Sequence, residues 1–442
     1  MNGKRRLKMK QLTRLFIPIC LETLFYMLSG MVDTLMLSAV GDYAVGAVGT
    51  ANSYIGIFII MFSIISSGMV SVMTQNIGAG RPGVAYQARQ LGLLFNAVAG
   101  VLMAVFLFSG AGAILRMVGI ADALYEPALI YLKIVGGGCI LNAVIPIFSS
   151  YLRAFGYTKQ PLYATIVGNI ANFVMNAVFL FVLHKGVAGV AAATVISKIL
   201  NLCIVLYFSH KLISAKNSTE RIANKTVLGQ IVKVGLPSAC ETALYNVAMM
   251  LVIRFLNQMD AEGLNVTARS YTATISNFSY CVGAALAQAN AIMTGWHIGA
   301  GELEECDRGT KRAAFVGVCV AVCMETAIVL GSGFIMPLFT DNPEMTALVR
   351  KLLAIDIVLE IGRVTNLVFG QALKTSGDAV FPAVIAAVFM FVFAVGGTWL
   401  FGISMGLMAV GAYMRLASDE CVRAVGMVRR WKTGKWRTKK LV

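Results

Sequence analysis

Two acidic residues lie inside the first long apolar stretch of the sequence, Leu12 to Ala39. Glu22 and Asp33 are eleven residues apart, so on an α-helix they share nearly the same face, about 16 Å apart along the axis. The stretch is long enough to cross a bilayer, which needs roughly 20 residues, and an acid there costs roughly 2.5–3.5 kcal/mol on insertion scales. We expect one stripe of this helix to face away from lipid. Asp33 either binds a proton or a sodium ion or lies at the helix end in the headgroup region, and the first interpretation is favoured.

Amide side chains recur with helical spacing in the fifth apolar stretch. Asn169, Asn172 and Asn176 are separated by three and four residues, which places them on one helix face. Thr194 follows in the sixth stretch, after a run of small residues that permits close helix approach. Their oxygens suit a hard monovalent cation, but they suit interhelical hydrogen bonds as well, worth roughly 0.6 kcal/mol each. Both interpretations stay open at this point.

Two glutamates each follow a proline by four residues. Glu22 follows Pro18, and Glu241 follows Pro237. A proline removes the hydrogen bond to the carbonyl four residues earlier and kinks the helix. Because the pattern occurs in both halves of the chain, we expect Glu22 and Glu241 to have a structural or gating role.

Three charged residues share one face of the tenth apolar stretch. Asp356, Glu360 and Arg363 lie at positions i, i+4 and i+7, so Glu360 and Arg363 can pair within the helix. They are either titratable groups of a second site or a fixed ion-pair network, and the network is favoured. Glu325 and Arg254 are isolated charges to which the sequence assigns no partner.

The composition indicates an integral membrane protein. The chain has 442 residues, of which 58% are hydrophobic and 13% charged, whereas soluble proteins carry about 25% charged residues. The apolar stretches are continuous rather than alternating, which favours helices over a barrel. The net charge of +16 lies in short loops and at the termini, as membrane orientation requires, so nucleic acid is not an expected partner.

The sequence lacks the motifs of soluble catalysis. It contains no HExxH and no Walker lysine loop. We therefore expect no enzyme activity, no cofactor and no bound nucleotide. The expected partners are a small-molecule substrate and the lipid bilayer, and the expected oligomeric state is a monomer.

Twelve apolar segments predict twelve transmembrane helices. Lysine and arginine are concentrated in the even-numbered loops and at both ends of the chain, which places both termini in the cytoplasm of a bacterial-type inner membrane. The basic tail also carries Trp431 and Trp436, which we expect to anchor it at the membrane interface.

The chain contains an internal duplication. IPICLETLFY (17–26) aligns with LPSACETALY (236–245) at an offset of 219, and LRAFGYTKQP (152–161) aligns with LKTSGDAVFP (373–382) at an offset of 221. IGAG also recurs at an offset of 221. Six segments in each half predict two six-helix bundles of the same orientation, related by an axis along the membrane normal.

The duplication predicts three parts of the chain. Residues 1–209 form the N-terminal six-helix lobe, and residues 210–227 form a polar, cytoplasmic linker. Residues 228–442 form the C-terminal six-helix lobe with its basic cytoplasmic tail. The expected fold class is therefore an all-α membrane protein of twelve helices.

Several motifs resemble the multidrug and toxic compound extrusion (MATE) family of cation-coupled antiporters. They include VDTLMLSAVGDYAVGAVGTANS (32–53), QNIGAGRPGVAYQAR (75–89), LRAFGYTKQP and NIANFVMN. The resemblance covers nearly the whole chain. It implies outward transport of cationic and amphipathic compounds in exchange for sodium ions or protons, by alternating access.

The resemblance also implies which residues bind the coupling cation. Asp33 resembles the family's first-helix cation-binding aspartate, and Asn172, Asn176 and Thr194 resemble its companions. Sodium would then contact Asp33, Asn172 and Asn176. Some members have an aspartate where this chain has Asn176, and one branch has second-lobe acids where this chain has Tyr245 and Arg363.

A lipid-linked oligosaccharide flippase shares the twelve-helix duplicated plan and is the alternative. It would be expected to have a strongly basic central cleft, and few arginines here fall in mid-segment.

Overall fold

The structure is a computed structural model that describes residues 2–118, 120–213, 220–260 and 263–442. Within these residues it contains α-helices and no β-strand, so the predicted all-α class is confirmed. Residues 214–219 of the predicted linker lie outside the described part of the chain.

The helices are α1 (Asn2–Ser38), α2 (Asp42–Gly78), α3 (Pro82–Val118), α4 (Asp122–Gly137), α5 (Cys139–Ala154), α6 (Lys159–Ala177), α7 (Gly186–Leu212), α8 (Asn224–Asn257), α9 (Leu264–Gly299), α10 (Leu303–Ile335), α11 (Pro343–Ser376), α12 (Val380–Phe389) and α13 (Met408–Lys432).

The helices account for twelve membrane-spanning segments. Eight of the described helices are long and apolar enough to cross a bilayer, and the pair α4 and α5, bent by 41°, adds a ninth. Helices α9, α11 and α13 are also long, but they bury polar or charged side chains such as Ser276, Asp356 and Asp419. These polar and charged side chains face protein and not lipid, and they make the three helices less apolar on average than the other membrane-spanning segments.

The two repeats differ in their fourth segment. In the first repeat, α4 ends at Gly137 and α5 begins at Cys139, where three consecutive glycines interrupt the chain and glycine commonly accompanies a kink. At the repeat offset of 221, this break corresponds to Leu359, inside the unbroken helix α11. The glycines of the first repeat therefore bend a segment that remains continuous in the second.

The fifth segment of each repeat ends in a π-helical stretch. Helix α6 continues into the π-helix Val178–Val182, and the eleventh segment contains the π-helices Met390–Val395 and Thr398–Ser404. Such stretches commonly occur next to functional sites. The first of them directly follows the asparagine motif of α6.

The described residues divide into two compact units, Met1–Gly235 and Leu236–Val442. Helix α8 therefore begins in the first unit and continues in the second. The core of the first unit contains many alanines, among them Ala47, Ala51 and Ala143, which are completely buried. Small side chains let membrane helices approach closely, which supports association by packing and hydrogen bonding.

The two tryptophans of the tail are buried in the second unit, so their prediction as interfacial anchors was wrong. Trp431 and Trp436 are each 1% exposed, and their rings stack 4.2 Å apart. The Trp431 indole donates to Asp307 Oδ1 at 2.8 Å, and the Trp436 indole donates to the Trp431 carbonyl at 3.0 Å. Internal partners for both N–H groups explain why the rings can be buried within the protein.

Asp260 caps α9 and gives a test of the second unit. Its carboxylate accepts the backbone N–H of Leu264 at 2.8 Å and of Asn265 at 3.0 Å. Partial desolvation opposes ionisation, but these hydrogen bonds outweigh it and hold the pKa of Asp260 below its ordinary value. Because the pKa is lower in the folded state, the carboxylate contributes fully to the stability of the protein above the ordinary aspartate pKa. This contribution to stability is lost as the pH falls through the pKa of Asp260 in the folded protein.

We expect Asp260→Ala to reduce the stability by about 1 kcal/mol, as loss of a cap does. Asp260→Asn keeps an acceptor and serves as the control. Thermal unfolding of the purified protein measures both, and equal melting temperatures for Asp260→Ala and the parent chain would contradict the capping role.

Candidate cation-coupling site

The carboxylate of Asp33 meets the asparagine pair of α6. Asn176 Nδ2 donates to Asp33 Oδ1 at 2.8 Å and to Asn172 Oδ1 at 3.1 Å. Both asparagines are buried, and Asp33 is partly buried. Within the described residues, Asn176 Oδ1 has no hydrogen-bond partner. The structure thus brings together three of the four residues proposed from the sequence and leaves one amide oxygen available beside them.

Thr194, the fourth residue, connects to this cluster through Tyr131. The hydroxyl of Tyr131 is a hydrogen-bonding neighbour of Thr194 and of Asn52, and it lies within electrostatic range of Asp33. Thr194 Oγ1 donates to the Val190 carbonyl at 2.9 Å, which leaves its lone pairs free to accept. Tyr131 and Asn52 were not singled out from the sequence, because tyrosine and asparagine are ordinary at single positions of a membrane helix.

Lys198 supplies a positive charge that the sequence analysis missed. It lies one turn after Thr194 on α7, its Nζ donates to Asn142 Oδ1 at 2.9 Å, and its charge acts on Asp33. One carboxylate and one ammonium group leave this cluster of the first unit close to neutral. The available signal was the position of Lys198 itself, since an ionisable residue inside an apolar segment marks a functional site by default.

Polar contacts hold α1 alongside α6. Pro18 frees the carbonyl of Arg14, four residues earlier, and Thr158 Oγ1 donates to that carbonyl at 3.4 Å. Farther along, Asn169 Nδ2 donates to the Phe25 carbonyl at 2.9 Å. The residue numbers of the contacting positions increase in the same direction along α1 and α6, so the two helices run parallel. This register brings Asp33 to the asparagines.

The duplicated glutamates each form an ion pair, and the two pairs occupy repeat-equivalent positions. Glu22 binds Arg153 with an oxygen–nitrogen distance of 2.6 Å, and Glu241 binds Lys374 at 2.8 Å. Arg153 and Lys374 are 221 residues apart, within the second pair of repeated motifs. Each pair fastens the first segment of a repeat to the end of the fourth. This arrangement favours the structural interpretation of Glu22 and Glu241.

The charges of the tenth segment belong to a network in the second unit. Arg363 pairs with Glu360, as their spacing predicts, and lies 3.9 Å from Glu420. Arg423 pairs with Glu420 and with Asp419, each at 2.8 Å. The prediction that Glu325 is isolated was wrong, because one of its oxygens lies within 4.8 Å of oxygens of Asp356 and Glu360.

A cavity of about 480 Å³ lies inside the second unit. Tyr245, Tyr280 and Tyr413 line it with Met249 and Met390, together with four acidic and four basic side chains. Its size is within the range of small-molecule sites. The equal numbers of acidic and basic side chains give the cavity no strong preference for either charge.

Comparison with known proteins finds the MatE family, whose model matches residues 18–178 and 237–412. The uncharacterised transporter YisQ of Bacillus subtilis is 32% identical over 425 residues, which cover 95% of this chain and 93% of that protein. The probable multidrug resistance protein NorM of Thermotoga maritima is 20% identical over 440 residues, covering 97% of this chain and 93% of that one.

Solved structures share the fold. A Vibrio cholerae MATE transporter, VcmN, has a TM-score of 0.87 at 17% identity and covers 97% of this chain and 98% of its own. A transporter of the MOP superfamily from Pyrococcus furiosus has a TM-score of 0.83 at 19% identity and covers 97% of this chain and 96% of its own. The duplicated twelve-helix plan therefore agrees with the fold of these proteins.

The repeated ion pairs predict a measurable coupling. Glu22→Ala should lower the stability by about 1–3 kcal/mol, because it leaves the Arg153 guanidinium partly buried without its partner. Removing both members, as Glu22→Ala with Arg153→Ala, should cost less than the sum of the single changes. The same cycle at Glu241 and Lys374 is the matched comparison. For each cycle, thermal unfolding gives the stability of the parent chain, the two single variants and the double variant. Additive effects at both pairs would contradict a stabilising ion pair.

Proposed function

The chain belongs to the MatE family, and from that membership we propose that it exports amphipathic or cationic small molecules in exchange for a cation taken up beside Asp33. The observation that carries the proposal is the polar cluster of the first unit, where a carboxylate, two amides and a hydroxyl meet inside apolar helices. Burying such a cluster inside a bilayer is energetically costly, so polar and ionisable side chains at this depth mark functional sites.

We propose that the exchanged cation is a proton and that Asp33 carries it. When Asp33 is ionised, Asn176 Nδ2 donates to it. When Asp33 is protonated, its O–H donates to Asn176 Oδ1, which has no other partner in the described residues, once the amide group turns over. A neutral amide serves both charge states, whereas a second carboxylate at this position would favour only the protonated one.

Lys198 supports the proton over sodium as the exchanged cation. Its ammonium group lies within electrostatic range of Asp33, and a sodium ion would add a second positive charge to a cluster with one carboxylate. A proton neutralises Asp33 without needing several oxygen ligands in a fixed geometry. The oxygens of Asn172 and Asn176 would be the ligands of sodium if it did bind, so the lysine is the residue that distinguishes the two ions.

Coupling requires that the proton binds the two transport states with different affinity, since a ligand shifts an equilibrium only by that difference. We propose that the chain alternates access to its substrate from the two sides of the membrane. Protonation of Asp33 would change which polar contacts α1 can make with α6. The ion pairs Glu22–Arg153 and Glu241–Lys374 would keep each repeat intact during that change.

The cavity of the second unit supports an amphipathic substrate. Tyrosine faces attract organic cations, and flexible methionines adapt to ligands of different shape. Four acidic and four basic side chains in the lining suit a molecule that combines a charge with an apolar body. They do not favour the flippase alternative, because a pyrophosphate headgroup would call for a surplus of basic groups.

We further propose that the protein is a monomer in a bacterial-type inner membrane with both termini cytoplasmic. The basic even-numbered loops and tail support this orientation. No enzymatic step, cofactor or nucleotide is part of the proposed cycle, in which the cation gradient supplies the energy.

Asp33→Asn tests the coupling role. The amide keeps the size of the side chain but cannot exchange a proton, so we expect ethidium efflux from cells to fall to the level of cells without the transporter. Asp122→Asn, at an exposed acid that begins α4, is the matched control and should keep full efflux. Equal amounts of membrane protein, measured by immunoblot, are required for the comparison. Unchanged efflux in Asp33→Asn would overturn the proposal.

Lys198→Gln tests the selectivity for protons. Removal of the ammonium group leaves Asp33 without its balancing charge, so we expect external sodium to affect efflux by this variant and not by the parent chain. Lys198→Arg keeps the charge and should behave like the parent. If sodium has no effect on any of the three proteins, or affects all of them equally, Lys198 does not determine the ion.

A further inference from the structure

A second polar cluster lies within the second unit, on helices that carry neither Asp33 nor its hydrogen-bonding partners. It contains Glu325 of α10 with Asp356 and Glu360 of α11, and an oxygen of each lies within 4.8 Å of the others. Glu325 and Glu360 are completely buried, and Asp356 is 3% exposed. Three carboxylates at this separation repel one another strongly in a medium of low dielectric constant.

Several oxygens of this cluster have no hydrogen-bond partner in the part of the chain that the structure describes. They are both carboxylate oxygens of Glu325, Asp356 Oδ2 and Glu360 Oε2. The hydroxyls of Ser276 and Ser279 on α9 face Asp356 and Glu325, and neither completes a hydrogen bond of normal geometry. Unpaired buried polar atoms are rare in folded proteins, so six oxygens in one place indicate an absent binding partner.

The charges of the cluster do not balance. Arg363 pairs with Glu360 and also lies 3.9 Å from Glu420, so its charge is already shared between two acids. When all three acids are ionised, three carboxylates against one guanidinium leave two negative charges, on Glu325 and Asp356. A water molecule could satisfy some of these oxygens, but it would not supply the missing positive charge.

We propose that Glu325, Asp356 and Glu360, with the hydroxyls of Ser276 and Ser279, bind a hard metal cation that joins α9, α10 and α11. The available ligands are carboxylate and hydroxyl oxygens, the type that calcium, magnesium, manganese and sodium prefer. Two uncompensated negative charges match a divalent cation better than sodium. Calcium suits the site best, because it accepts irregular sets of oxygen ligands.

The cavity gives the cation a route to the site. Asp356 and Ser276 line the 480 Å³ cavity of the second unit, whereas Glu325 lies deeper and is fully buried. A cation would therefore reach Asp356 first and Glu325 last. The site shares Asp356 and Ser276 with the lining of the cavity proposed for the substrate, but its readout is metal binding and not transport, so the two proposals can fail separately.

Metal binding to the purified chain in lipid nanodiscs tests the proposal. We expect calcium, or manganese as its spectroscopic substitute, to bind saturably by calorimetry and to raise the melting temperature of the parent chain. Glu325→Gln removes one carboxylate with little change of shape, so it should weaken binding at least tenfold and abolish the thermal shift. Since it also relieves repulsion, the variant should be at least as stable as the metal-free parent.

A control and a second variant complete the test. Glu304→Gln changes an exposed acid on the same helix and should bind metal like the parent. Asp356→Asn should weaken binding as Glu325→Gln does, which covers the case that one variant fails to fold. Saturable binding of sodium that depends on Glu325 would also support a metal site. The metal site would be contradicted if calcium, manganese and sodium all fail to bind, or if neither variant changes the binding. It would also be contradicted by an infrared band of a protonated carboxyl group in the parent chain that disappears in Glu325→Gln.

Discussion

The absence of water from the bilayer interior is the constraint on which this structure depends. A charged or polar group placed there must find a partner within the protein, because an unsatisfied group costs several kcal/mol. The described residues meet this requirement in two ways, and one cluster does not meet it with protein groups alone. The pairs Glu22–Arg153 and Glu241–Lys374 neutralise charge by direct contact, and the cluster at Asp33 combines amide hydrogen bonds with the nearby charge of Lys198. The acids around Glu325 remain unbalanced, which is why we assign them a bound cation.

Internal duplication separates the parts that build the fold from those that distinguish the two units. Both repeats keep the proline, the glutamate four residues later and its basic partner, so these residues belong to the shared framework. The offset of 219 that relates the glutamates takes Asp33 to Val252, which lies in the apolar core. The acids of α11 likewise belong to the second unit alone. The acids to which we assign cation binding therefore differ between the units, whereas the ion pairs that hold each repeat together are equivalent.

The fold could be predicted from the sequence because its signals are long and repeated. Continuous apolar segments and a constant offset between motifs define twelve segments without knowledge of any contact. Spacing placed Asn172 and Asn176 on one helix face, but their meeting with Asp33 was implied only by the family resemblance. Lys198, Tyr131 and Glu325 were missed or left unpartnered, because their roles depend on which helices become neighbours. The tryptophans of the tail were misplaced for the same reason, as Asp307 lies 124 residues from Trp431 in the chain.

The central claim is that a proton, and not a sodium ion, exchanges at the charge-balanced cluster of Asp33 and Lys198. Reconstitution of the purified chain into liposomes allows a proton gradient and a sodium gradient to be imposed separately, with ethidium movement as the readout. We predict that transport follows the proton gradient and that a sodium gradient alone drives none. Transport driven by the sodium gradient at constant pH would contradict the claim.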